Sequence, residues 1–249
     1  SPNFIEGSLD VLADVCQELG MRALLCYGAT ERNFGRAEAV RGLSECQRFI
    51  RSNRRPLVRG AIGLHASFTV SDSTIREAGD LCRTLGVRLH VHVAEDSCDV
   101  TDAIQRGYES PLQRLHALGG LVPGSIIAHG VHLSENDVRI ADELALWVVE
   151  NPRSNEANGV GHPCRLPARV ALGTDGFPSD MAAELEHLAR HASPNGATHS
   201  GARHRSGNRD LAAQLFPDLA APQTFDIEAI RAEGAEEAQR LWERMRGIE

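Results

Sequence analysis

The sequence predicts an α/β fold with parallel strands, either a (β/α) barrel or an open doubly wound sheet. Strand-like apolar runs begin near residues 21, 57, 87, 125, 145 and 169, and helical patterns fill the intervals. The runs are apolar enough to be buried on both faces, as parallel strands under right-handed crossovers are. Polar residues also recur at the C-terminal ends of the strands while the strand interiors stay apolar, which suggests one shared rim.

Apolar residues at helical spacing run from Ile5 to Leu19, through Leu9, Leu12, Val15 and Cys16, and Gly20 stops that helix. MRALLCYGA reads as a buried strand. A helix follows from about Arg36 to Asn53, and LVRGAIGLH is a second strand ending at His65. In SDSTIREAGDLCRTLG the placing of Glu77 three after Thr74 is a capping-box pattern, and the helix runs to Gly86. VRLHVHVAE is the third strand, and the helical stretch after it ends near Leu118-Gly119-Gly120. SIIAHG is the fourth strand. Ser134 caps a short helix to about Glu143. ALWVVEN and RVALGTDG are the fifth and sixth strands, with a short loop in place of a helix between them, and a helix starts near Ser179. Residues 1–192 therefore read as the main body. Residues 193–225 are polar and glycine-rich and read as a linker or loop with a short helix. Residues 226–249 read as a charged amphipathic helix. There are no internal repeats.

The 249 residues are 42% hydrophobic, enough for one large domain with or without an appendage. The net charge of −8 argues against nucleic acid and anionic membranes as partners, because both need a basic surface. No apolar run approaches the roughly 20 residues of a membrane span, and the opening residues are not expected to act as a signal peptide. None of the six cysteines pairs as C-x-x-C, which reads as reduced thiols in a cytoplasmic protein. All 26 basic residues are arginine. The absence of lysine excludes a Schiff base, a catalytic lysine and a carboxylated lysine bridging two metals. No G-x-G-x-x-G follows a strand and no G-x-x-x-x-G-K-[ST] occurs, so the nucleotide-binding signatures are missing.

His65 ends the second strand, His92 and Glu95 the third, His129 the fourth, Asn151 the fifth and Asp175 the sixth. These groups suit metal-assisted hydrolysis. Histidine and aspartate are zinc ligands, zinc lowers the pKa of bound water to about 7, and a carboxylate not bound to metal can shuttle protons. Side chains alternate along a strand, so His90 and His92 share a face. Glu95 joins His92 only if the strand has already given way to loop, as the following EDSCD favours.

HVHVAED, IIAHGVHLSEND, ENPRSNEANGVG and ALGTDGFPSDM, in that order, resemble the amidohydrolase superfamily. They look like its aminohydrolase/chlorohydrolase branch, which contains guanine, cytosine and adenosine-type deaminases and triazine hydrolases. SPNFIEGSLD and TDGFPSDM place the resemblance nearest the aminohydrolase group associated with selenium metabolism. It covers roughly residues 1 to 190 and again the last twenty. It implies a (β/α)8 TIM barrel of the metal-dependent hydrolase type and a zinc-dependent aminohydrolase acting on a small cyclic amidine or purine-like ring. His92 and Asp175 would be zinc ligands, with Asp175 also accepting the water's proton. Glu95 would protonate the ring or leaving nitrogen and contact substrate. His129 would polarise the attacking water or the forming oxyanion, and His65 would contact substrate. Asn151, Arg153 and Asn155 would either touch substrate or pack the loop after the fifth strand, and His90 would be packed or support the ligands.

The sequence also departs from that pattern. The family's H-x-H, on its first barrel strand, donates two zinc ligands, and it is not present here. The six strands correspond to barrel strands 3 to 8, so the barrel is expected to be incomplete. With His92 and Asp175 as the two family ligands left, zinc binding by this chain is expected to be weak or absent, and activity in this form is open. The alternative is a non-catalytic barrel remnant without metal, associating with another chain, such as a second copy of itself, through exposed sheet edges.

Overall fold

The computed structural model describes residues 6–191 and 201–218, together with residues 236, 239, 240, 242 and 243. Most of the helix expected over 226–249 lies outside the described residues.

The chain alternates as expected. Helix α1 (Ser8–Glu18) precedes β1 (Ala23–Leu25) and β2 (Gly28–Ala29), and α2 (Arg36–Ser52) leads to β3 (Val58–Gly60) and β4 (Ile62–Ala66). Then come α3 (Asp72–Leu85), β5 (Leu89–Val93), α4 (Ser97–Gln105), α5 (Pro111–Ala117), β6 (Ile126–His129) and α6 (Glu135–Glu143). The chain continues through β7 (Trp147–Glu150), α7 (Pro152–Ala157), β8 (Val170–Leu172), α8 (Met181–His191) and α9 (Gly201–Leu215).

Six strands form one parallel sheet in the order β2-β4-β5-β6-β7-β8, and β1 and β3 form a separate parallel pair. The first two predicted strands are therefore each split in two. The backbone crosses the gap at Cys26-Tyr27 and at Ala61, whose amide still reaches the Leu25 carbonyl at 2.9 Å. Gly63 permits this kink: a Cβ there would lie 2.4 Å from the Tyr27 carbonyl oxygen. Strand order follows chain order, so the sheet is a barrel wall and not a doubly wound sheet, which reverses direction at a switch point. Among the described residues β2 and β8 do not pair with each other, so the fold is a partial (β/α) barrel.

The period-2 pattern of β5 explains its histidines. Leu89, Val91 and Val93 are fully buried on the convex face against the helical layer, which includes Leu43, Phe49, Ile75, Leu112, Leu115 and Ile140. His90 and His92 point the other way. Each such aliphatic burial is worth about 1.5–3 kcal/mol, so the apolar positions fix the register and the histidines follow. The concave face carries a smaller cluster, Ile126, Trp147 and Ala171 with Leu24, Val149 and Leu211.

Three local expectations change. The cap of α3 is Ser71, whose hydroxyl accepts from the Thr74 amide at 3.4 Å, and Glu77 instead pairs with Arg36. The connection between the fifth and sixth predicted strands is not a bare loop, because α7 occupies its first half. Within the 193–225 segment, Gly201–Leu215 is a fifteen-residue helix docked on the sheet. Asn208 accepts from the Leu172 amide at 2.6 Å and donates to the Leu172 carbonyl at 3.1 Å, as a neighbouring strand would. Gly207 lets the helix come this close: a Cβ there would lie 1.7 Å from the Val170 carbonyl oxygen. Trp147 Nε1 donates to Gln214, and the buried His204 faces Glu150 at 3.1 Å. Helix α9 thus covers the edge of β8 that was expected to be exposed.

No helix among the described residues is long and apolar enough to cross a membrane, and all six cysteines are free thiols.

Candidate active site

The site forms where β4, β5, β6 and β8 end. Register pairs Ala66 with His92 and Val93 with His129, so these ends are level. The His65 and His92 ring centroids are 5.6 Å apart, those of His92 and His129 5.3 Å, and those of His90 and His92 5.9 Å. His129 Nε2 lies 3.5 Å from a Glu95 carboxylate oxygen and 3.9 Å from one of Asp175. The residues expected at one rim are therefore together.

Backbone strain marks the same place. Ala94, His129 and Asp175 all adopt left-handed φ, at 52°, 72° and 50°. Such non-glycine conformations cost on the order of 1–3 kcal/mol each and persist where the surroundings enforce them. Each lies where a strand gives way to loop, and each turns a side chain back toward the centre. Glu95, which a straight strand would face away from His92, is delivered to His129 by the turn at Ala94.

Helix α7 and the residue after it hold these groups. The Asn155 side-chain oxygen accepts from His129 Nδ1–H at 2.8 Å, which in the neutral ring leaves Nε2 as a lone pair aimed at the space between Glu95 and Asp175. Ser154 donates to Asp175 at 2.6 Å, and Asn158 donates to Glu95 at 3.1 Å. Arg153 pairs with the buried Glu184 at 2.6 Å and donates to the Pro178 carbonyl, so it packs the loop. Asn151 is buried, with its amide nitrogen 3.5 Å from His129. The roles of Ser154 and Asn158 were not anticipated. The clue was their spacing in PRSNEAN, which puts Ser154 and Asn158 one turn apart on a short helix.

Electrostatics follow burial. The His92 imidazole is pushed down to about 3 by burial, and then by His90, His129 and His65, so it is neutral at physiological pH. His90 and His65 are also lowered, first by burial, then by His129 and by Arg32 respectively. Burial raises the Asp175 carboxyl, but the Ser154 hydroxyl, His129 and the Gly176 amide outweigh it and leave its pKa below the usual value. His65 Nδ1 lies 3.3 Å from the Thr69 hydroxyl, and the buried Arg114 secures that loop by donating to the Ser67 and Val70 carbonyls. A cavity of 580 Å³ opens on the concave face, lined by His65, His90, His92, Thr30, Arg32 and Asn33 among others. Its volume falls in the range of small-molecule sites, about 300–1,000 Å³.

A neutral buried imidazole and an ionised carboxylate are donors that suit zinc. Among the described residues, however, no three histidine, cysteine, aspartate or glutamate side chains converge as a metal site would require. The fit to zinc is partial: donors of the right chemistry are present, but they do not make a complete set.

The family model described as the Amidohydrolase family matches residues 4–206. Among curated proteins, the chain is similar to 5-methylthioadenosine/S-adenosylhomocysteine deaminase of Thermoanaerobacter pseudethanolicus, 30% identical over 179 residues, which cover 69% of this chain and 42% of that protein. It is similar to 5'-deoxyadenosine deaminase of Methanoregula boonei, 30% identical over 185 residues, 71% of this chain and 42% of that protein. The chain thus spans about two-fifths of the length of these relatives. Among solved structures, the fold resembles an adenosine deaminase from Xanthomonas campestris with bound zinc, at a TM-score of 0.67 and 22% identity, covering 96% of this chain and 70% of that one. It also resembles guanine deaminase of E. coli, at a TM-score of 0.63 and 20% identity, covering 72% and 45%.

Proposed function

The chain belongs to the amidohydrolase family, and from that premise we propose that the whole protein hydrolyses a C–N bond of a purine-like ring, deaminating an adenosine-type substrate. The observation that carries this reading is the approach of Glu95 and Asp175 to the same nitrogen of His129, at 3.5 and 3.9 Å, beside the neutral His92. The names of the similar proteins, adenosine-type and guanine deaminases, support the choice of ring.

His92 and Asp175 are this chain's candidate zinc donors, and the set requires others. When bound, zinc supplies a water acidified toward hydroxide. Deamination requires one proton on the ring nitrogen as oxygen adds to the amidine carbon, and another on the departing amine. Glu95 is suited to both: its carboxylate is 31% exposed, held by Asn158 on one oxygen and facing His129 with the other. Asp175, steadied by Ser154, is placed to accept the proton that the adding water releases. His129, with Nδ1–H donated to Asn155, offers Nε2 as an acceptor that orients that water. His65 and the cavity beside it are the place for the rest of the substrate.

The incomplete donor set favours a second reading, a barrel module that binds no metal. Ammonia release distinguishes the two. The whole protein supplied with zinc is expected to release ammonia saturably from adenosine-type nucleosides. No turnover of adenosine-type nucleosides or of guanine by zinc-loaded protein would overturn the proposal.

A further inference from the structure

Asp99 lies in the first turn of α4, is 2% exposed, and is absent from the roles assigned above. Asp96 already caps that helix, accepting from the Cys98 amide at 2.8 Å. The Asp99 carboxylate reaches out of its helix instead and accepts from the backbone amide of Ala94 at 2.6 Å. Its other oxygen, Oδ1, is buried with no hydrogen-bond partner. Ala94, with φ 52°, immediately precedes Glu95 and lies two residues after His92, and its own carbonyl accepts from the His132 amide at 2.9 Å. Both polar groups of this strained residue are therefore held in place.

We propose that Asp99 is a positioning residue whose carboxylate clamps the Ala94 amide in the left-handed turn that carries Glu95 back to His129. A buried carboxylate with one unpartnered oxygen is costly, and a buried polar group left in that state calls for an explanation. Holding the turn supplies one. Without the acceptor, Ala94 relaxes toward extended backbone, the strand alternation continues, and Glu95 swings away from His129 and Asn158. Burial, with Asp102 and Glu95 nearby, raises the Asp99 carboxyl to about 7, in keeping with a group kept for its geometry at a cost in solvation.

The clamp has a readout that needs no catalysis. Asn158 donates to Glu95, so its side-chain amide protons report where Glu95 sits. NMR hydrogen exchange on the full chain would follow the Ala94 amide and the Asn158 side chain in Asp99→Asn, which keeps an acceptor, and in Asp99→Leu, which keeps the branched shape, with somewhat larger volume, without one. Leucine is expected to speed exchange at both sites by at least about tenfold, with β6 unchanged, while asparagine stays near wild type. An Asn158 side chain unmoved by leucine, or released equally by asparagine, would overturn the assignment. Should leucine fail to fold, release of Asn158 by asparagine alone overturns it and retention supports it. The catalytic meaning of the clamp rests on the deaminase reading, and there Asp99→Leu is expected to lower kcat about tenfold or more at unchanged KM. Release of Asn158 in a protein that shows no wild-type turnover would sink that reading and leave the clamp standing.

Discussion

Glu95 and His129 face one another at 3.5 Å across the ends of β5 and β6, although Glu95 lies beyond the last paired residue of its strand. The contact depends on two left-handed residues, Ala94 before Glu95 and His129 itself. The carboxylate proposed as general acid–base group and the imidazole proposed to orient water are thus set by backbone geometry, and substitutions that leave both side chains intact can still separate them.

The raised pKa of Asp99 predicts a pH-dependent stability. Burial raises the carboxyl first, Asp102 and Glu95 add to it, and the Ala94 amide and Arg114 oppose it, with the result near 7. An unfolded aspartate titrates near 3.9. The native state therefore binds the proton more tightly, and this group's stabilising contribution is intact below about pH 4 and lost as pH rises through about 7. Asp99→Asn does not titrate. Its unfolding free energy minus that of wild type is expected to grow by a few kcal/mol between pH 4 and 7, then level off. Urea unfolding at several pH values checks this, and a difference that stays flat would contradict it.

The edge cover provided by α9 is testable through Gly207 and Asn208. Gly207→Ala puts a methyl group against the Val170 carbonyl and is expected to cost about 1–3 kcal/mol as α9 is pushed off β8. Asn208→Leu leaves the amide and carbonyl of Leu172 without partners, a loss of about 1–3 kcal/mol for each buried group. Both variants should speed Leu172 amide exchange, and the second should also promote self-association through the uncovered edge, seen as a rise in mass by light scattering. Slow exchange at Leu172 in both would show that the helix does not protect the edge.

Metal content tests the donor count. This chain alone is expected to retain well under one zinc per molecule after dialysis, because His92 and Asp175 fall short of the three protein ligands of a catalytic zinc. One tightly held zinc per chain would mean that His129 or another side chain completes the set. In the whole protein, Asp175→Asn should weaken zinc retention if Asp175 is the charged donor proposed above.

Much of this was legible in the sequence. The alternation of His90 and His92 with Leu89, Val91 and Val93 specified both a buried strand and the face that carries histidine. The common rim followed from where His65, His92, His129 and Asp175 fall in their strands. The kinks at Cys26-Tyr27 and Ala61 were not legible, because a broken strand and a continuous one share the same apolar pattern. The short helix expected within residues 193–225 is fifteen residues long and docks on the sheet; its length and docking were not legible because its polar, glycine-containing sequence lacks an amphipathic stripe, while Gly207 and Asn208 serve close contact with a strand edge, a tertiary demand that local pattern does not encode. The Asp99 clamp was hidden for a similar reason, since an acidic residue in a helix's first turn ordinarily favours the helix dipole.

The central claim is that Glu95 moves protons at this site without holding the metal. Its most direct test is kcat/KM for an adenosine-type nucleoside in the zinc-loaded whole protein, wild type against Glu95→Gln, with zinc content measured on the same samples. A drop of at least roughly a hundredfold at unchanged zinc is the result expected of a lost general acid–base group. A kcat/KM within about twofold of wild type at equal zinc would contradict the claim and reduce Glu95 to a loop residue that binds Asn158.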